Sequence, residues 1–283
     1  MRPTLICPVR RCAAPLERQG QSLVCPRGHT FDLARSGYCN LLQPQDRRSK
    51  NPGDPKETVE ARRRFQDAGH GAALLKALIA EIDALDLPPG AAVLDVGCGE
   101  GTYLGRITRD IARERPVEAH GIDLSAPAVD LAARRFPEAT WIVGNADRFL
   151  PWAPESFDLV LSIDARLNPG EMRRVLKPEG WLLVAVPGPD DLVELRTAVL
   201  GEGLTRDRME RVEAMLAGDF ELDGRRTVRE TVRLSPEAAR DALAATYRGA
   251  RESRRERIEA ISAMDVTLSH ELARFRAPRR SDS

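Results

Sequence analysis

Two periods alternate along the chain. Short apolar runs at Val93–Val96, Glu118–Asp123, Thr140–Val143, Phe157–Ile163 and Trp181–Val186 have the length and branching of buried strands. Between them the apolar positions recur at helical spacing. Leu74, Leu75, Leu78, Ile79, Ile82 and Leu85 mark a helix over Ala72–Leu85, and Tyr103–Glu114, Ala126–Phe136 and Glu171–Val175 follow as helices. Strand and helix in alternation predict an α/β fold with a mostly parallel sheet. Near the end the period becomes two: Thr227–Leu234 and Asp265–Leu272 alternate, which predicts an antiparallel hairpin closing that sheet. Leu176–Gly180 reads as a tight turn, Asp190–Leu222 as charged helical segments broken at Gly201, Gly203 and Gly218, and Ala277–Ser283 as a tail without fixed structure.

The first apolar run leads directly into Gly97-Cys-Gly-Glu-Gly101, with Asp95 two positions before the first glycine. Glycines there let the backbone turn tightly and approach a ligand where a Cβ would collide. The spacing is G-x-G-x-G, unlike the G-x-G-x-x-G of dinucleotide enzymes. Asp123 closes the next strand 22 positions after Gly101, near the offset at which a carboxylate receives ribose hydroxyls. A nucleoside-like ligand at the strand ends is the expectation.

The composition is that of an ordinary globular chain of 283 residues with zero formal net charge, but the charge is unevenly placed. Residues 1–69 hold 13 Lys/Arg against 7 Asp/Glu, the remainder 30 against 36. A basic front on an acidic body suggests a polyanion-binding module, with a solvated basic linker as the competing reading. No run of about 18 apolar residues and no signal-peptide core occur, so a cytoplasmic protein without membrane attachment is expected.

The front piece also carries C-x4-C-x12-C-x3-H: Cys7, Cys12, Cys25 and His29. Two turns presenting two soft ligands each suit tetrahedral, structural Zn2+, which would replace the core that so short a segment cannot build. Cys39 falls outside the pattern and reads as a small apolar residue. Arg47, Arg48 and Lys50 precede a Pro/Gly turn at Asn51–Pro55, and Arg62, Arg63 and Arg64 lie on a helix over Glu57–Asp67. These cations could clamp phosphates; equally, the helical ones could pair with Glu57, Glu60 and Asp67. The resulting division is a metal module over 1–45, a basic linker and helix over 46–71, and an α/β domain over 72–283.

The glycine motif resembles the first motif of the Rossmann-like methyltransferases that bind S-adenosylmethionine. Cys25–Leu42, Asn51–His70 and the region through Gly188-Pro189 are similar to the RlmA family of bacterial 23S rRNA (guanine-N1)-methyltransferases, which includes a macrolide-resistance branch. The resemblance covers the first two thirds of the chain closely and the last third loosely. It implies a class I methyltransferase sheet, S-adenosylmethionine and structural zinc as cofactors, and 23S rRNA as partner, with a homodimer compatible. It further implies a cofactor crevice formed by Asp95, Gly97, Gly99, Glu100, Gly101, Thr102, Asp123, Leu124, Ala146 and Asp147. Asp147 would meet the adenine amino group, or cap a helix. Gly71 and Asp191 fall at two further cofactor positions, where the family has tyrosine and histidine. After the fourth strand the family has an aromatic-Ala-Pro triplet and this chain has Asp164-Ala165-Arg166. Asp164 could serve as a base, touch a base edge, or be a tolerated loop change. His270 on its alternating strand reads as structural. Two alternatives stay open: an RNA-binding protein of methyltransferase shape without activity, and a methyltransferase for a small-molecule or protein acceptor.

Overall fold

The computed structural model describes residues 2–46, 52–111, 116–201, 207–246 and 255–279. At the front, β1 (Glu17–Gln19), β2 (Ser22–Val24) and β3 (Thr30–Asp32) form a small antiparallel sheet absent from the sequence reading. Next, β4 (Cys39–Asn40) leaves that module and joins the large sheet. Helices α1 (Lys56–Asp67) and α2 (Ala72–Asp83) follow, then β5 (Ala92–Val96), α3 (Thr102–Ile111), β6 (Glu118–Asp123), α4 (Ala126–Arg135), β7 (Thr140–Val143) and β8 (Phe157–Ile163). The chain continues through α5 (Pro169–Val175), β9 (Leu176–Pro187), α6 (Val193–Leu200), α7 (Met209–Leu216), β10 (Glu221–Leu234), α8 (Pro236–Thr246), α9 (Arg255–Glu259) and β11 (Met264–Arg276).

The large sheet has eight strands in the order β10-β11-β9-β8-β5-β6-β7-β4. The strands from β9 to β4 are parallel, and β11 runs antiparallel to both β9 and β10. The expected antiparallel pair is present and longer than its alternating segments, from Glu221↔Arg276 to Leu234↔Met264, but α8 and α9 lie between its strands, so it is not a hairpin. Strand order reverses at β5, whose neighbours are β6 and β8, so the β5 carboxyl end opens a crevice.

Period-2 and period-3.6 burial meet on both faces. Leu74, Leu78 and Ile82 of α2, Leu104 and Ile107 of α3, and Val129 and Ala132 of α4 pack on one side against Val93, Trp141, Leu159 and Leu161. Each such large side chain contributes about 1.5–3 kcal/mol. The opposite side buries Leu94, Ile122, Val160 and Val184 against Met172 of α5, Met209 and Leu216 of α7, and the metal module.

Three boundary readings change. Leu176–Gly180 is the first part of β9, not a free turn: the pairing jumps from Phe157↔Leu176 to Leu159↔Trp181, so the extra residues form a bulge, with Glu179 at φ 58°. The helix read as starting at Glu171 begins at Pro169, because Asn168 caps it by accepting from the Glu171 amide. Ala277 is fully buried and donates to the Gly180 carbonyl at 2.9 Å, so the tail is pinned as far as residue 279. No helix among the described residues is long and apolar enough to cross a membrane.

Candidate active site

At the C-terminal ends of the parallel strands the sequence places acids and glycines, and the fold gathers them. Gly97, Gly99 and Gly101 all have positive φ (81°, 54° and 76°). A Cβ on Gly97 would meet Ala165, and one on Gly101 would meet Trp141 and Ala132, whereas Gly99 faces only the tip of Arg62. The turn is thus packed on two sides and open on one. Asp123 receives the Gly99 amide at 3.0 Å on one oxygen and the Ser125 amide at 2.7 Å on the other, which ties the turn to the end of β6.

Asp95 is buried at the end of β5 with one carboxylate oxygen unpartnered among the described residues. Burial, with Asp123 and Glu100 nearby, pushes its pKa up to about 8. Burial also raises Asp123. A cluster of buried acids with an orphaned oxygen is a poor structural arrangement and a suitable receiver for a cationic ligand carrying ribose hydroxyls. S-adenosylmethionine, with its ammonium and sulfonium charges, fits that donor set.

The linker roofs this crevice. Asn145 after β7 donates to the Asp46 carbonyl, Ser125 donates to the Asp54 carbonyl at 2.7 Å, and Arg62 reaches down from α1 to Asp54 (2.8 Å) and Glu100 (3.9 Å). Arg62 therefore joins the linker to the acids beside the glycine turn. Arg63 pairs with Asp67 at 3.2 Å, and Arg64 holds Asp241 of α8 with two nitrogens at 2.9 and 2.6 Å. Of the expected partners Glu57, Glu60 and Asp67, Asp67 takes Arg63, whereas Arg62 and Arg64 pair with carboxylates outside that set. Arg47, Arg48 and Lys50 lie outside the described residues.

Thr102 and Glu100 are buried, Thr102 accepting from Arg135 at 3.1 Å. Leu124 packs on the helix-covered face, and Ala146 on the other. Asp147 is exposed and pairs with Arg166 at 3.4 Å; its amide is held by the Asn145 side chain, so Asn145 organises the turn, and none of the helices begins at Asp147. Gly71 caps α2 at φ 88°, and a side chain there would press on Gln66 and the Tyr103 hydroxyl, which Gln66 contacts at 3.0 Å. Tyr103 is the aromatic residue that stands beside Gly71.

His270, expected to be structural, has a partner from outside its own strand. Its Nε2 lies 3.2 Å from Asp164 Oδ2, and Asp191 accepts from the neighbouring Ser269 amide at 3.0 Å. Alternation along β11 could not reveal this, because the partner arrives from the loop after β8.

In the front module the four ligand atoms of Cys7, Cys12, Cys25 and His29 lie within 4.8 Å of one another. Cys12 and Cys25 sulfurs are 3.8 Å apart, and His29 Nδ1 is 3.4 and 3.3 Å from Cys7 and Cys25. Tetrahedral Zn2+ with bonds of about 2.0–2.3 Å gives edges of about 3.5–3.8 Å, so these three distances lie close to the metal's edges and the donor set suits it. Burial acts to raise the Cys25 thiol, but the His29 and Arg27 backbone amides outweigh it and bring it down to about 7. Cys39 is buried on β4, outside the quartet. Around the module Arg2, Arg10, Arg11, Arg18, Arg27 and Arg35 are exposed and, among the described residues, carry no carboxylate partner. Sequence reading passed over them because charge counts do not show which cations are neutralised.

Family models match both parts: RlmA, N-terminal, over residues 5–50, and a methyltransferase domain over residues 93–180. A 23S rRNA (guanine(748)-N(1))-methyltransferase of Streptomyces fradiae is 39% identical, over 83% of this chain and 81% of its own. A relative in Micromonospora griseorubida bearing a 23S rRNA (guanine-N(1)-)-methyltransferase name is 34% identical over 82% of each chain. Among solved structures, the YcgJ protein from Bacillus subtilis superposes with a TM-score of 0.52 at 16% identity, over 73% of this chain and 98% of that one, which supports the fold alone. With a methyltransferase sheet, a crevice suited to S-adenosylmethionine and a zinc-ready quartet on one chain, this protein belongs to the RlmA family of 23S rRNA (guanine-N1)-methyltransferases.

Proposed function

We propose that this chain transfers a methyl group from S-adenosylmethionine to N1 of a guanine in 23S rRNA, in the cytoplasm. The observation that carries the reading is the joining of a zinc ribbon and a methyltransferase sheet in one body, matched across most of its length by the Streptomyces fradiae enzyme. When bound, S-adenosylmethionine supplies an electrophilic methyl group on a sulfonium. The residues proposed to hold it are Asp95, the Gly97–Thr102 turn, Asp123 with Leu124, and Ala146 with Asp147; Gly71, Asp191 and Arg62 border the same space. Their work is to align the acceptor with the methyl group and to exclude water.

Guanine N1 lies on the pairing edge, so a paired target must first be extruded. That requires a basic platform gripping the surrounding RNA. The unpaired arginines of the metal module suit that role better than Arg63 and Arg64, whose charges are already matched. Zinc held by four protein ligands has no open position, so its role is structural.

The test is to incubate the protein with labelled S-adenosylmethionine and rRNA lacking the modification, then to map reverse-transcription stops. Label transfer with a new stop at one guanine is expected. Cofactor binding with no transfer would instead support a binding protein, and transfer only to non-RNA acceptors would reject the rRNA assignment.

A further inference from the structure

Guanine N1 carries a proton and is a poor nucleophile while neutral, so a group beside the crevice must receive that proton. Asp164 closes β8 with φ 53°, a left-handed conformation that Asp and Asn tolerate better than most side chains. Its amide donates to the Ala185 carbonyl at 2.9 Å, which fixes the turn on β9. The next residue, Ala165, touches the site of the missing Gly97 side chain, so Asp164 stands at the rim of the glycine turn. Its side chain is 44% exposed, while that of His270, 3.2 Å away, is 17% exposed. The carboxylate is the more exposed partner and the imidazole the more buried one.

Resting on the rRNA reading, we infer that Asp164 accepts the N1 proton, and that His270, with Asp191 beside it, is the positioning residue that holds the Asp164 carboxylate in place. As N1 attacks the methyl carbon, the N1–methyl bond forms and the carbon–sulfur pair returns to sulfur. The N1–H bond breaks toward an Asp164 oxygen, and the proton later leaves to solvent. His270 makes no bond to the substrate.

The electrostatics agree with the geometry. Burial acts against a charged His270, but Asp164, by charge and hydrogen bond, and Asp191 outweigh it, against a smaller opposing effect of Arg208; the imidazole is raised above its ordinary value. Arg208 is held at the Pro187 carbonyl, the β9 residue paired with His270. Tyr103 is the remaining ionisable group that senses Asp164. Burial raises Asp191, which His270 and Arg196 counteract.

The experiment compares Asp164→Asn and His270→Gln with the wild type on unmodified 23S rRNA, recording kcat and the KM for S-adenosylmethionine, with His270 followed by NMR in the cofactor-free protein. Asparagine preserves the left-handed turn. Asp164→Asn is expected to lower kcat by about 10²–10⁴-fold while retaining cofactor binding. His270→Gln removes the imidazole partner and is expected to lower kcat by about 10-fold or more with the KM for S-adenosylmethionine unchanged, the split that misplacement of the base produces. In Asp164→Asn the His270 imidazole is expected to titrate at lower pH. Undiminished kcat in Asp164→Asn, an unchanged kcat in His270→Gln, or an unchanged His270 titration in Asp164→Asn each overturns the inference while leaving the methyltransferase reading intact. Failure of the wild type to methylate rRNA overturns the parent reading itself, and the inference with it.

Discussion

A Cβ built on Gly97 lies 2.4 Å from the Cβ of Ala165. The glycine turn and the loop after β8 are thus packed against each other, and no side chain fits between them at Gly97.

Gly97→Ala should therefore fail twice, by overlap with Ala165 and by placing a side chain at φ 81°. The expected cost is about 1–3 kcal/mol of stability with loss of S-adenosylmethionine binding. Thermal unfolding and calorimetric titration measure both, and Gly97→Ala binding normally would remove the tight-turn argument. Ala165→Gly, which only enlarges the space, should still bind.

Asp95 sets a pH dependence. Its folded pKa of about 8 lies above the ordinary value, so the folded protein retains a proton that the unfolded chain has lost. Stability of the cofactor-free protein should consequently fall as pH rises from about 4 to about 8, then level off. A cationic ligand favours the ionised carboxylate, so binding should release a proton near neutral pH. Calorimetry in buffers of different ionisation enthalpy reads that release, and Asp95→Asn should abolish it.

Metal removal should reach beyond the ribbon. Cys7, Cys12 and Cys25 share one buried cluster with Leu150, Trp152 and Phe157 of the large domain, and Leu5 bridges to Trp152. Chelation, or Cys25→Ser, is expected to lower the melting temperature of the whole protein and to red-shift Trp152 emission, with Trp152→Phe as the control. A module that unfolds silently would contradict the shared core.

The arginines should divide into two classes. Replacing Arg10 and Arg11 by alanine is expected to weaken RNA binding and flatten its salt dependence by about one unit of slope per lost phosphate contact. Arg63→Ala should leave RNA affinity nearly unchanged, because its charge is spent on Asp67 in an exposed pair worth about 0–1 kcal/mol.

The helix-sheet alternation, the closing antiparallel pair and the metal quartet were legible because each is written in local spacing. Asp123 was found in the same way, since its offset from the glycines is a property of one βαβ unit. What stayed hidden depends on distant segments meeting. His270 becomes a crevice residue only when β11 inserts beside β9, and Arg62 turns toward Glu100 only because Gly53 and Asp54 pack closely on Ser125. The Leu176–Gly180 bulge carries turn residues and lies within a strand, so composition alone could not separate the two. Free arginines differ from paired ones only by their neighbours in space.

The two residues of β4 that hydrogen-bond to β7 have a consequence for target choice. The ribbon is stitched to the sheet edge, and Ser36 is fixed to Asp130 of α4 at 2.7 Å, so among the described residues the ribbon and the sheet are joined directly. On the proposed function the protein would act as a fixed caliper: the guanine selected would be the one that a given RNA shape holds at that span.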